Sequence, residues 1–173
     1  MAGTNSTQPA LEVQVGEWLR RRGWKLIAAE SCTGGLIGHL LTNVPGSSDY
    51  FLGSLVSYAN AAKEHWLGVS RETLERCGAV SKEVVLEMAR SARRSLSAAF
   101  PLAQLVGISV SGVAGPGGGT PDKPVGLVWI GLSAPGFEHA WQYHWQGTRE
   151  ENKERSAVQA LRLLLDFLQR EGS

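Results

Sequence analysis

The sequence predicts an α/β fold, a three-layer α/β/α single domain with a mixed, mostly parallel sheet. Three observations predict it. Short apolar runs of strand length alternate along the chain with longer segments of helical periodicity, the order that builds a sheet covered by helices on both faces. Residues 138–145 instead alternate polar and apolar side chains, as a half-buried antiparallel strand does, which makes the sheet mixed. No internal repeat or linker divides the 173 residues, a length that suits one compact domain with its own core.

Residues 1–6 are expected to be disordered and residues 7–171 to form the domain. After Pro9, the apolar Leu11, Val15, Trp18 and Leu19 recur at helical spacing, and Arg20, Arg21 and Arg22 followed by Gly23 end that first helix. Residues 25–29 (KLIAA) form a short apolar run bounded by Gly23 and the polar Glu30 and Ser31, the setting of a buried strand. Residues 35–41 then read as a helix packed on the sheet, residues 44–48 (VPGSS) as a turn, and residues 55–59 as a second strand. Asn60 is placed to cap a helix through Trp66 and Ser70 another through Cys77, while Ser81, with Glu83 and Glu87 behind it, opens a long helix reaching about Ala99. Residues 105–110 and 125–132 are strands on either side of a glycine-rich segment, and residues 149–169 close the chain as a helix with a leucine-rich face.

Composition narrows the function classes. Seventeen basic against 16 acidic residues give a formal charge of +1, so no overall field favours nucleic acid or an anionic membrane, and an anionic ligand needs a local site. Cys32 and Cys77 lie far apart without CxxC or Cys/His spacing, and His39, His65, His139 and His144 show no HxH or HExxH pattern. Neither a metal site nor a disulfide framework nor a Ser-His-Asp triad is indicated, and no cofactor is expected. No leader pattern and no run of about 18 apolar residues occurs, so a soluble, cytoplasmic protein is expected, the cysteines suiting a reducing compartment. Trp141, Tyr143 and Trp145 alternate along one strand, a pattern for packing against a helix or a partner subunit rather than for stacking on bases.

Chemistry has three segments to sit in, with Arg149 as a further candidate. Glu30-Ser31-Cys32-Thr33-Gly34-Gly35 lies between a strand and a helix, where the first N–H groups of the helix lack intrahelical partners and favour an anion or a developing oxyanion. A serine there is well sited as a nucleophile, although Ser31 or Thr33 as a plain helix cap explains the same residues. Cys32 competes as a nucleophile, but its apolar neighbours suit a small buried side chain. In Ser57-Tyr58-Ala59-Asn60-Ala61-Ala62-Lys63, a lysine desolvated among alanines can serve as the base that a serine hydroxyl needs, with Tyr58 relaying the proton or orienting the amine. A solvated helix lysine beside Glu64 is the plainer alternative. The thirteen residues 112–124 (GVAGPGGGTPDKP) are too long for an ordinary turn. Their backbone can form a nest of N–H groups for phosphate or oxyanion, with Lys123 adding charge, or simply a surface loop. Arg149, after Gly147 and Thr148, can offer its planar fork to a phosphate or stand as a surface charge.

Taken together, AESCTGG at 29–35, YANAAK at 58–63, GAVS at 78–81 and GVAGPGGGTPDKPVG at 112–126 resemble the CinA C-terminal domain family, also called competence/damage-inducible protein A. The likeness covers nearly the whole chain, from about Val13 to Leu168, and the chain resembles the family's free-standing members, nicotinamide-mononucleotide deamidases. The resemblance implies a nicotinamide-nucleotide amidohydrolase that converts nicotinamide mononucleotide and water to nicotinate mononucleotide and ammonia, in pyridine nucleotide salvage. It implies Ser31 as nucleophile with Tyr58 and Lys63 completing its activation, and Glu30, Thr33, Gly34, Gly35 and Asn60 shaping the pocket. Gly112, Ala114, Gly115, Thr120 and Lys123 would line the other wall, and the phosphate would sit near Lys123 or Arg149. The chain departs from the family pattern at Gly147-Thr148-Arg149, where Gly-Asp-Arg is common, and at Ser111, where threonine is usual. No metal, nucleic acid or membrane is implied, and a homodimer is expected. The alternatives are a catalytically silent nucleotide-binding or scaffold module of the same fold and, more remotely, a DNA-directed damage-response protein, for which no basic stripe is present.

Overall fold

The computed structural model describes residues 9–170. The expected disorder of residues 1–6, and the domain's outermost residues 7, 8 and 171, lie outside the described residues. Five strands form one sheet in the order β2-β1-β3-β4-β5: β1 (Lys25–Glu30), β2 (Phe51–Val56), β3 (Leu105–Gly112), β4 (Leu127–Ala134) and β5 (Phe137–His144). β1 pairs in parallel with β2 and β3, whereas β4 is antiparallel to both β3 and β5. Four of the five strands therefore run the same way, β4 alone reversing, and the sheet is mixed and mostly parallel, as the sequence predicts.

Both faces are covered because the parallel strands are apolar on both sides. Leu26 and Ala28 of β1 and Val106, Ile108 and Val110 of β3 turn to one core, where α1 (Leu11–Arg22), α2 (Leu36–Thr42) and α6 (Arg149–Arg170) bring Leu19, Ile37, Leu41, Leu161, Leu164 and Leu168. Ile27 and Ala29 turn to a second core formed with α5 (Lys82–Arg94), which supplies Val84, Met88 and Ala92, and with Leu67 of α3 (Asn60–Leu67) and Leu74 of α4 (Arg71–Cys77). On this face β3 carries serines. Ser109 Oγ donates to Val85 O at 2.6 Å and Ser111 Oγ to Ala79 O at 2.8 Å, which moors α5 and the segment before it against the strand. Trp141 and Tyr143 of β5 and the adjoining Trp145 pack against the α6 core, the helix partner their alternation anticipates.

Several boundaries differ from expectation for physical reasons. β2 occupies Phe51–Val56 rather than residues 55–59. Gly53 and Ser54 interrupt its apolar run, yet pairing with β1 carries the strand back to Phe51, and residues 57–59 leave the sheet to reach α3. Asn60 is the first residue of α3, not its cap; Ala59 holds the cap position and no side chain bonds there. Ser70 and Ser81 do cap, accepting from Thr73 N at 3.4 Å and Val84 N at 3.3 Å. α5 stops at Arg94, and residues 95–99 continue as turns, in keeping with Ser95 and Ser97, whose hydroxyls compete for backbone groups.

Candidate active site

The chain leaves β1 for β2 over one face of the sheet and returns from β2 to β3 over the other, so β1 lies at the point where the winding reverses. Ligand sites of such sheets form outside the carboxyl ends of the strands at that point. All three segments singled out from the sequence meet there: Ser31 follows β1, Ser57 and Tyr58 follow β2, and Gly112 ends β3. The ladder runs to the last residue, with Ser31 N donating to Val110 O at 3.0 Å and Ser57 N to Glu30 O at 2.8 Å. The result is a cleft of about 260 Å³ whose lining includes Ser31, Cys32, Tyr58, Asn60, Lys63 and Arg149.

At its floor Ser31 is 7% exposed and Lys63 1%. Lys63 lies in the first turn of α3, and helix side chains lean toward the N-terminus, which brings its amine back to the strand ends. Lys63 Nζ is 2.9 Å from Ser31 Oγ and donates to the carbonyls of Ser57 at 2.8 Å and Tyr58 at 3.4 Å. A neutral amine has two N–H groups and one lone pair; the two carbonyls take the N–H groups and leave the lone pair for the Ser31 hydroxyl proton. Burial pulls the Lys63 pKa down from 10.5 to about 8, opposed to a smaller degree by Cys32. Burial pushes the Cys32 thiol up to about 12, which keeps it protonated and a poor nucleophile near neutral pH.

The helix N-terminus after Ser31 is not open to a ligand as the sequence suggested. Glu30, fully buried, turns its own carboxylate onto it: one oxygen accepts from Thr33 Oγ1 at 2.7 Å, Gly35 N at 3.0 Å and Ile37 N at 3.1 Å, the other from Gly38 N at 3.0 Å and Ser54 Oγ at 2.7 Å. Glu30, Thr33, Gly34 and Gly35 therefore shape the turn from beneath and do not line the cleft. Gly34 and Gly35 take φ of 65° and 97°, a left-handed pair that lets the chain double back under Glu30. Gly34 N–H is committed to Ser31 O at 3.1 Å, while the N–H groups of Cys32 and Thr33 find no acceptor in another residue among the described ones. Cys32 N–H follows directly on Ser31; in strand-turn-helix hydrolases the N–H after the nucleophile is an oxyanion donor.

The rim is polar and cationic. Arg149 donates from Nη1 to Gly115 O at 2.7 Å and from Nη2 to Tyr58 Oη at 2.5 Å. Tyr58 is 59% exposed; it orients Lys63 through its carbonyl, while its phenol faces Arg149. Arg149 is set by a reciprocal cap, Thr148 N donating to Glu151 Oε2 at 2.7 Å and Glu151 N to Thr148 Oγ1 at 3.3 Å. Hydrogen bonding from Thr148, first from its N–H and then from its hydroxyl, lowers the Glu151 pKa. Threonine thus does here what an aspartate cap would do. Arg149 and Lys63 are the charged residues of the lining, and no carboxylate accompanies them. Asn60, Gly112, Ala114 and Gly115 line the cleft as anticipated; Thr120 and Lys123 do not, since Thr120 Oγ1 accepts from Lys123 N at 3.1 Å and Lys123 Nζ donates to Cys77 O. Ala79, Val80, Ser111, Val113, Gly117 and Gly118 complete the lining without having been singled out as site residues. GAVS at 78–81 was a visible signal for the first two, but alanine and valine advertise no chemistry. Among the described residues no group of three or more His, Cys, Asp or Glu is placed to hold a metal ion, and no helix is long and apolar enough to cross a membrane.

Comparison with known proteins identifies the family and the fold. The sequence model of the CinA C-terminal domain matches residues 8–168. A CinA-like protein of Salinibacter ruber is 48% identical over 151 residues, covering 87% of this chain and 35% of that protein. A CinA-like protein of Desulforapulum autotrophicum is 49% identical over 152 residues, covering 87% and 34%. The chain thus spans about a third of the length of these curated relatives. Among solved structures, a competence-damaged protein (CinA) superfamily protein of Klebsiella pneumoniae superposes with a TM-score of 0.84 at 31% identity, covering 92% of this chain and 96% of that one. A competence/damage inducible protein of Agrobacterium tumefaciens gives 0.75 at 34% identity, covering 95% and 99%. The chain belongs to the CinA C-terminal domain family.

Proposed function

We propose that this protein is a serine amidohydrolase that deamidates nicotinamide mononucleotide. The observation that carries the reading is the buried pair of Lys63 Nζ and Ser31 Oγ, 2.9 Å apart, with the lysine pKa drawn down to about 8. A lysine in that state holds an appreciable neutral fraction near physiological pH and serves as general base to a hydroxyl within hydrogen-bond reach. Ser31 Oγ attacks the carboxamide carbon as its proton passes to Lys63. The N–H of Cys32 meets the oxyanion, a contribution typically worth about 3 kcal/mol. Lys63 returns the proton to the leaving nitrogen, ammonia departs, and the nicotinoyl group remains as an ester on Ser31. A water deprotonated by Lys63 then adds to the ester, and the collapse yields nicotinate mononucleotide and the free serine. The cationic rim, with Arg149 beside glycine-rich backbone and no carboxylate, supports a monophosphate substrate.

Ammonia release from nicotinamide mononucleotide by the wild-type protein and by Ser31→Ala, with EDTA present and nicotinamide as a control, tests the reading. Release by wild type alone is expected. Equal release by both proteins removes Ser31 from the chemistry, and release by neither removes the deamidase assignment.

A further inference from the structure

Lys123 is engaged outside the lining of the cleft. Its Nζ donates to the carbonyl of Cys77, the last residue of α4, where helix carbonyls lack partners and the dipole is negative. The base of this reach is fixed, since Thr120 N donates to Lys123 O at 2.9 Å and Lys123 N to Thr120 O at 3.1 Å. The next residue after Cys77 has to be small. A Cβ on Gly78, whose φ is +69°, would stand 2.5 Å from Lys123 Nζ, so the side chain crosses over bare backbone. Immediately beyond, Ala79 and Val80 form one wall of the cleft, with the Ala79 carbonyl held by Ser111 Oγ at 2.8 Å. Gly115, Gly117 and Gly118, from the same loop as Lys123, line the same cleft. One side chain therefore ties together two segments that both contribute to the lining of the cleft.

We infer that Lys123 is a positioning residue, a latch that holds the glycine-rich loop to the end of α4 and sets the spacing of the cleft walls without touching substrate. What passes through the cleft rests on the deamidase reading; the latch itself does not. The test compares full-length wild type with Lys123→Met, which keeps the length and loses the donors, and with Lys123→Arg, which keeps them. Hydrogen exchange without substrate is expected to quicken about tenfold at the hydrogen-bonded amides of Val113 and Thr120 in Lys123→Met, the scale of losing a charged hydrogen bond, and to return toward wild type in Lys123→Arg. In turnover, KM is expected to rise by the same factor, about tenfold, for nicotinamide mononucleotide and for nicotinamide riboside, with kcat within about threefold and recovery in Lys123→Arg. Unchanged exchange in Lys123→Met overturns the latch. A KM rise confined to the phosphorylated substrate overturns it as well and makes Lys123 a phosphate ligand. Should Lys123→Met fail to fold, Lys123→Gln carries the same comparisons. A wild type with no deamidase activity sinks the functional reading alone, since the exchange measurement still decides the latch.

Discussion

The floor of the cleft and its rim sit within one lining yet obey different physics. Lys63 is 1% exposed and held on three sides by Ser31, Ser57 and Tyr58, whereas Tyr58 is 59% exposed and its phenol has Arg149 as its partner. At the floor, desolvation is the working force: it draws the pKa of the Lys63 amine down from 10.5 to about 8. At the rim, water competes with every contact, so binding there depends on a charge-assisted fork and on backbone geometry. Variants at the floor should therefore cost orders of magnitude in turnover, and variants at the rim should cost affinity.

The comparison is sharpest at Ser31. Ser31→Ala is expected to lower kcat at least about 10⁴-fold while leaving nucleotide affinity, read by calorimetry, within a few-fold. Lys63→Met is expected to lower kcat about 10³-fold, the scale of a lost general base. A loss confined to KM would move Lys63 from chemistry to binding. Glu30→Ala strands the buried N–H groups of Ile37 and Gly38 and the half-buried one of Gly35 and is expected to destabilise the fold by about 3 kcal/mol. Thermal unfolding reads this as a fall in Tm of about 6–12 °C; an unchanged Tm would mean the carboxylate is not what organises the turn. Arg149→Ala is expected to raise KM for nicotinamide mononucleotide about 10–100-fold with little change in kcat, and much less for nicotinamide riboside. Smallest is Tyr58→Phe, which keeps the carbonyl that faces Lys63 and loses only the partner of Arg149, for a several-fold rise in KM. A kcat loss as deep as that of Lys63→Met would put the phenol in the proton path after all.

The same division decides how much was legible in the sequence. The strand-turn-helix setting of Ser31 and the lysine one helical turn beyond a strand are local patterns, and the structure brings both to one point. Glu30 was visible as a polar residue at a strand end, but a carboxylate that accepts from its own following helix reads no differently in sequence from one that faces a ligand. Lys123 shows the complementary limit: a lysine in a glycine-rich loop has the composition of a phosphate site, and only the fold reveals that the end of α4 lies within its reach. Asn60 looked like a cap because asparagine prefers that position; leaving Ala59 there keeps the Asn60 side chain at the cleft. The edge strand β2 was displaced because Gly53 and Ser54 fall side by side in its middle, whereas Gly107 and Ser109 of β3 are separated by Ile108.

The most direct test of the central claim, that Lys63 is the base for Ser31, is the pH dependence of kcat/KM for nicotinamide mononucleotide between about pH 6 and 10. Lys63 is active when neutral, and its pKa lies near 8, so kcat/KM is predicted to rise tenfold per pH unit below that value and level off above it. Lys63→Met should retain only a residual rate without this limb. A wild-type profile flat through pH 8, or a limb near pH 8 that survives in Lys63→Met, would contradict the assignment.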